Sequence, residues 1–499
     1  MTTGWLRDGS LRSMLVWGLL WAVLGALALN RLAPNPWPIQ SSRATDLRAS
    51  LAVLDHGGPA LLGYMPGTHA PYAIGYSDDQ GIYVVVPVLA HWLGRSDPIA
   101  VLRWLWILAW ALTLLFSPIV FRSLFRSSWS ALLAPPTLLV CIFSFGFGDI
   151  YWVAAWVVVT FMPLLILLAR RAPPWLWMAL PAIGLAAGVV TAIRSDAGLP
   201  VVIASAIVAA MTDRSRLWRV AVIGAVALAY IAPNWIALPA IRAHRDSRVD
   251  VDLSANEPTS HPLWHSLYIG LGYTANRYGI HYEDGYAAAA AQQADPGVRY
   301  LSPAYANVLH KQVDALVRED PGFVLGAETQ KAIVELSHAI RYLLLLALLL
   351  PAALAARGAA RLRRREPALF IPAFAIGVLP PIVAVPFRDY ELSLLAPLGA
   401  LGLLCIGSAL ARAQTQWELS RASVVGLVDR ARASWRGLFD AWPWRATLSA
   451  LLIAAVILIP SFLFARHLEA EHESWDREAR SPPTVVLAAA PVRVSGTAR

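Results

Sequence analysis

The chain has 499 residues, 57% hydrophobic and 15% charged, with a mean hydropathy of +0.54 and a formal charge of +9. Soluble globular proteins carry about 45–50% apolar and about 25% charged residues, so these values exclude a soluble enzyme, a disordered chain and a fibrous repeat. Only Lys311 and Lys331 among the 41 lysines and arginines are lysine, and the arginines lie beside apolar runs instead of on one basic face, which argues against a nucleic-acid partner.

A bilayer core of about 30 Å needs about 20 mostly apolar residues per helix. Runs of this kind lie near 13–31, 99–121, 130–148, 151–169, 174–193, 198–211, 218–240, 337–356, 367–386, 392–410 and 447–466. They predict an all-α polytopic membrane protein with about 11 transmembrane helices. The first run follows Arg7 and Arg12 and holds Ala26-Leu27-Ala28, as a signal peptide would, but it is longer than a signal core and further spans follow. It reads as an uncleaved first helix. Cys141 and Cys405 both fall in apolar runs, which leaves no disulfide framework and no CxxC zinc site.

Arginine position sets the expected orientation. With the N-terminus in the cytoplasm, the inner segments hold Arg7 and Arg12, Arg122 and Arg126, Arg170 and Arg171, then Arg214, Arg216 and Arg219. The later inner segments hold the cluster from Arg357 to Arg365 and the stretch from Arg412 to Arg445. Four parts follow: an N-terminal membrane module 1–240 with an outer loop 32–98; a large outer loop 241–336; a C-terminal membrane module 337–466; and a weakly ordered outer tail 467–499. The basic amphipathic segment 411–446 is expected on the inner leaflet surface.

Acidic and basic residues gather at the outer ends of the spans. Asp78 and Asp79 stand in YSDDQGIY before an apolar run, Asp149 in FGFGDIYW, Arg194 and Asp196 in AIRSDAGLP, and Arg388, Asp389 and Glu391 in PFRDYELS. Tight turns use such residues, and Asp149 alone reads as a turn residue. Two adjacent carboxylates repel, which suits a base with an orienting neighbour or a cation ligand. Arginine on the outer side runs against the charge bias and suits an anion such as phosphate. Asp46, in RATDLRASLAVLDHGG, precedes an amphipathic helix whose Leu47, Leu51 and Leu54 are expected on the membrane surface, and it reads as a cap.

The long outer loop carries His261, Trp264, His265, Tyr268, Tyr273, Tyr278, His281, Tyr282 and Tyr286. Such rings stack on sugars or form an interfacial belt. His261 and His265 have i,i+4 spacing, but Pro262 lies between them and the glutamate of HExxH is absent, so zinc is not expected. Two helices broken at Asp320-Pro321-Gly322 follow. No Walker motif, no GxSxG elbow and no dinucleotide fingerprint occurs.

The layout resembles the integral-membrane GT-C glycosyltransferases, the group that includes protein O-mannosyltransferases and the aminoarabinose transferase of lipid A. The similarity rests on a first outer loop with carboxylates (Asp46, then Asp78-Asp79 before IYVVVPVLAHWLG), the charged turn in GLAAGVVTAIRSDAGLPVVIASAIVA, and PFRDYELSLLAPLGALGLL late in the chain. An Asp separates Arg388 from Tyr390, where the group has the two adjacent. The resemblance implies a multi-spanning enzyme of the bacterial inner membrane with its site facing outward. It would transfer a sugar from a polyprenyl-phosphate donor to a hydroxyl of a lipid, glycan or protein acceptor, with inversion. Asp78 or Asp79, with Asp46 as the alternative, would be the base. Arg194 and Arg388, with Asp196 and Tyr390 beside them, would hold the phosphate, and His261, Trp264, His265 and Tyr268 would line the site. No organic cofactor is expected, and a divalent Mg or Mn ion at Asp78-Asp79 is a further candidate. A lipid-linked glycan flippase or exporter, a polysaccharide polymerase or ligase, and a structural scaffold are the competing readings.

Overall fold

A computed structural model describes residues 11–65, 67–75, 78–145, 148–251, 253, 261–334, 337, 366–383, 396–408, 410–411, 414–415 and 463–475. The chain forms two compact units, one of residues 1–261 and 335–461, the other of residues 262–334 and 462–499. Nearly all of the expected spans 337–356 and 447–466 and of 411–446, together with Arg388 and Tyr390, lie outside the described residues.

The first unit is helical. α1 (Leu11–Leu32) leads to α2 (Ser41–Asp55), then to a short antiparallel hairpin of β1 (Leu62–Tyr64) and β2 (Pro71–Ala73). Next come α3 (Ile82–Trp92), α4 (Pro98–Phe125), α5 (Ser128–Phe145), α6 (Trp152–Arg171), α7 (Leu176–Ile193), α8 (Leu199–Met211) and α9 (Arg216–Ala232). α9 runs through a π-turn at Pro233–Ala237 into α10 (Leu238–Asp246). Among the described residues, five helices are long and apolar enough to cross a membrane: α1, α4, α6, α7 and the composite Arg216–Asp246. Shorter apolar helices, α3, α5, α8 and Ala396–Ser408, complete an all-α membrane protein.

Local chemistry explains the boundaries. α4 starts where Asp97 accepts a hydrogen bond from the Ile99 amide (3.2 Å) with Pro98 in the first turn, and α9 starts where Ser215 accepts from the Trp218 amide (3.2 Å). Prolines inside α3 to α7 (Pro87, Pro118, Pro135, Pro136, Pro163 and Pro181) are tolerated because neighbouring helices re-satisfy the backbone. Pro233 brings no amide to the helix ladder, which widens there into the π-turn; Asn234 uses the opening to donate to the Gly188 carbonyl (3.3 Å).

Alternation of the helices sorts the turns to two ends of the unit. One end carries the arginine-rich turns: Arg170 donates to both Glu366 carboxylate oxygens (2.7 and 2.9 Å) and to the Leu124 carbonyl (3.1 Å), and Arg171 to the Ser123 carbonyl. The helix Ala396–Ser408 is tied close by, where Ser130 donates to the Gly407 carbonyl (2.6 Å). At the other end, the segments 37–43, 78–81, 149–151 and 192–195 are joined by hydrogen bonds.

The second unit is built from α11 (Leu263–Gly270), α12 (Asp284–Ala294), α13 (Pro303–Glu319) and a helix over 321–334. Asp320 breaks the last two, and its carboxylate accepts from the Phe323 amide (3.2 Å). Ile269, Ala287, Ala291, Val298, Tyr305 and Leu309 form its core. Residues 463–475 are helical and belong to this unit: His472 stacks on Tyr273 and Trp475 on His281, and the Trp475 indole donates to the Ile280 carbonyl (3.1 Å). Residues 467–475, at the start of the tail, are thus part of a packed helix.

Candidate functional site

The site is built around Arg43, a residue the sequence reading passed over. α2 packs on α3 and α4 with Arg43, Ala44, Leu47, Ser50 and Leu51 inward, so Arg43 falls on the buried face at i, i+4 spacing from Leu47. Arg43 is 6% exposed. Its Nη2 and Nε donate to Asp79 Oδ2 (2.6 and 3.2 Å), and its Nη1 donates to Asp149 Oδ1 and Oδ2 (both 2.6 Å). Burial works against the charge, and Asp79 and Asp149 more than offset it.

Both carboxylates are fixed from behind. Asp149 sits at φ +40° in the turn before α6, a conformation that Asp tolerates. Its amide donates to the Pro38 carbonyl (2.6 Å), and the Trp37 indole donates to its carbonyl (3.0 Å). Segment 78–81 lies on the end of α7: the Ser195 amide donates to the Asp78 carbonyl (2.8 Å) and the Gly81 amide to the Ala192 carbonyl (2.7 Å). A Cβ at Gly81 would stand 2.6 Å from that carbonyl oxygen, so the approach requires glycine.

Three consecutive side chains here each end in a buried polar atom with no hydrogen-bond partner among the described residues: Asp78 Oδ1, Asp79 Oδ1 and Gln80 Nε2. An unsatisfied buried group costs about 1–3 kcal/mol, and native structures hold few of them. Their other ends are held. Arg242 of α10 donates to Gln80 Oε1 through Nε (2.8 Å) and Nη2, which turns the Gln80 amide nitrogen away from it. His261 Nδ1 faces Asp78 Oδ2 at 3.5 Å. The strip thus offers two carboxylate acceptors and one amide donor.

Burial pushes the Asp79 carboxyl above the ordinary carboxylate range; Arg43 and Arg194 pull it back and Asp78 adds to the rise. Asp46 also lies above its ordinary value, first by burial and further by Asp79, while the Tyr72 hydroxyl, which donates to Asp46 Oδ1 (3.3 Å), opposes the shift. The Tyr72 phenol is itself pushed up to about 12 by burial and by Asp46.

Asp46 is the sixth residue of α2, not its cap; Gln40 holds the cap position. Leu47 and Leu51 of that helix are buried in the unit's core, not laid on a membrane surface, because α3 and α4 cover them. Arg194 ends α7 with its guanidinium 4.8 Å from the Tyr151 ring centroid, and Asp196 takes the left-handed position of the next turn (φ +64°). Trp264, His265 and Tyr268 are placed in the packing of the second unit. Trp264 stacks on His310, Tyr268 packs on that unit's core, and His265, 1% exposed, bonds the Tyr305 hydroxyl (2.6 Å) and Asp284 Oδ1 (3.1 Å).

A divalent cation fits Asp78-Asp79 poorly. Arg43 already occupies Asp79 Oδ2 and supplies its countercharge, whereas Mg or Mn in an oxygen site needs about six ligands. No step is assigned to a metal. Comparison with protein-family models, with curated proteins and with solved structures gave no match to this chain.

Proposed function

We propose that the protein is a membrane glycosyltransferase of GT-C type, transferring a sugar from a polyprenyl-phosphate donor to an acceptor hydroxyl with inversion. The observation that carries the reading is the strip of atoms at Asp78, Asp79 and Gln80 with no hydrogen-bond partner among the described residues. Sugar and acceptor hydroxyls donate and accept at once, and so match two carboxylate oxygens beside one amide N–H. Asp79 is the base: Arg43 holds one oxygen, and the other is left to take the acceptor proton as that hydroxyl attacks the anomeric carbon. A raised carboxyl is the better base, and help of this kind is worth about 10²–10⁴-fold. Arg194 stabilises the leaving polyprenyl phosphate, joined by Arg388 on the strength of the sequence. Asp78 and Gln80 orient the hydroxyls. Asp46 is a supporting charge, occupied by Tyr72.

In this reading about 11 spans cross the bilayer, the arginine-rich turns face the cytoplasm and the Asp79 end faces outward. Support comes from residues 463–475, which pack with 273–282 in one unit. The intervening chain must then cross an even number of times, which accommodates the four apolar runs 337–356, 367–386, 392–410 and 447–466. The charges lie at the ends of the spans, away from their middles, which favours an enzyme over a flippase.

The test is a donor screen. Purified protein in detergent is given a panel of polyprenyl-phosphate sugars, with and without a crude envelope acceptor fraction, and free polyprenyl phosphate is measured. Acceptor-dependent release from one donor, lost in Arg194→Ala, is the expected result. Donor binding without release from any of them would contradict the reading.

A further inference from the structure

We infer that Asp149, acting through Arg43, is a positioning residue that fixes Asp79 and sets how strongly it takes a proton. The inference rests on the reading above only for the role of Asp79 as base. The geometry is that of one cation shared between two anions from segments far apart in sequence: Arg43 Nη1 serves Asp149, and Nη2 with Nε serve Asp79. The sharing has two consequences. Asp79 Oδ2 is held at a fixed point, so that Oδ1 is aimed by the same contact. The positive field that Asp79 feels is also divided, because Asp149 draws on the same guanidinium and adds its own negative charge.

Asp149 is well placed for this. Three contacts hold its backbone and side chain: its amide to the Pro38 carbonyl, its carbonyl to the Trp37 indole, and its Oδ2 to the Gln40 amide (3.4 Å). It therefore cannot follow Arg43 if the guanidinium moves toward Asp79; Arg43 is held between two fixed points. The other charged and titratable groups around Asp79 are Asp46 from α2, Tyr83 from α3, Tyr151 from the turn before α6, Arg194 from the end of α7, and its neighbour Asp78. Arg43 bonds Asp79 directly, which makes it the lever, and Asp149 is the second carboxylate on it, with the Tyr83 hydroxyl also in reach of the guanidinium.

The two substitutions should act in opposite directions. Asp149→Asn keeps size and shape, removes a negative charge, and leaves the whole guanidinium to Asp79; the Asp79 carboxyl should then ionise about one pH unit lower. Arg43→Gln removes the cation, and Asp79 should ionise at least one unit higher. A part that only holds the fold together would not give opposite signs. The measurement is an infrared pH titration of the protonated carboxyl stretch in the full-length protein in detergent, with the Asp79 band assigned by its loss in Asp79→Asn. No sugar is needed, so the result stands apart from the donor screen. Shifts of opposite sign in the two variants support the inference, with or without turnover on any donor. An Asp79 midpoint that is unmoved in Asp149→Asn, or that moves the same way in both, overturns it even if the protein proves to be a glycosyltransferase. Should Asp149→Asn fail to fold, Asp149→Glu takes its place: it keeps the charge and should return the wild-type midpoint, and a downward shift there would equally overturn the inference. In any donor-linked assay, Asp149→Asn should lower kcat and carry the acid limb of the pH profile to lower pH while leaving KM for the donor unchanged.

Discussion

Replacing Arg43 with methionine is the sharpest test of the network's energetics. Wild-type Arg43, 6% exposed, makes two hydrogen bonds to Asp79 and two to Asp149. Asp79 Oδ1 already lacks a hydrogen-bond partner among the described residues, so Arg43→Met leaves both oxygens of a buried carboxylate unsatisfied. Breaking a buried pair in this way costs about 3–5 kcal/mol. The variant has one escape, which is to protonate Asp79. From an ordinary carboxylate value near 3.9, that costs about 1.4 kcal/mol per pH unit, or about 1.5 kcal/mol at pH 5 and about 5.5 kcal/mol at pH 8. The sign follows from Asp79 lying above its ordinary range already and rising further without Arg43: stability is fully present below the unfolded value and is lost as pH rises through the folded one. The deficit should therefore be several degrees of thermal midpoint at pH 8 and much smaller at pH 5, read by thermal unfolding in detergent. The double variant Arg43→Met/Asp79→Asn should recover most of the loss at pH 8, because a neutral replacement is far less costly than an unpaired charge. An Arg43→Met protein as stable as wild type at pH 8, or equally weakened at both pH values, would refute the reasoning.

Packing of α7 on α9 requires glycine at 188, where a Cβ would stand 2.3 Å from the Tyr230 carbonyl oxygen. Gly188→Ala should lower the thermal midpoint and the folded yield, while Gly224→Ala, which meets nothing within 4 Å, should leave both unchanged or slightly higher. Asp46→Asn removes a carboxylate that burial holds above its ordinary range, so it should raise the thermal midpoint at pH 8, and the gain should shrink as the pH falls. A midpoint that falls at pH 8 would show that the Asp46 charge is needed for the fold. Gln80→Glu keeps the partner of Arg242 and exchanges the one amide donor of the strip for an acceptor. Donor or acceptor KM should rise about tenfold, the equivalent of one lost hydrogen bond to a neutral group, and an unchanged KM would take Gln80 out of the site.

Much of the helical layout is legible in the sequence, because a bilayer-length apolar run leaves the backbone few alternatives. The runs near 13–31, 99–121, 151–169 and 174–193 correspond to α1, α4, α6 and α7 within a few residues. The site is less legible, and Arg43 shows why. A leucine stripe at 47, 51 and 54 fits either a membrane surface or a protein core, and only the second makes an arginine at 43 a buried residue. Its i, i+4 register with Leu47 is the signal that was there to be read. Asp149 had no such signal, since one Asp in a glycine-rich turn looks like any turn residue until its partner, 106 positions away, is seen beside it. The aromatic residues around 264–286 are ambiguous for a related reason: rings suited to stacking on sugars also suit a small core, and His265 and Trp264 pack in one. The pair Asp78-Asp79 and Arg194 stand out in the sequence because they depart from what turns require.

The account turns on Asp79 as the group that accepts a proton during transfer, and the most direct measurement pairs binding with chemistry in one preparation. Wild type and Asp79→Asn are compared for affinity to the active polyprenyl-phosphate sugar and for the rate of polyprenyl-phosphate release in the presence of acceptor. The account predicts equal affinity within about threefold and a rate lower by about 10²-fold or more in Asp79→Asn. Release at the wild-type rate from Asp79→Asn would contradict it.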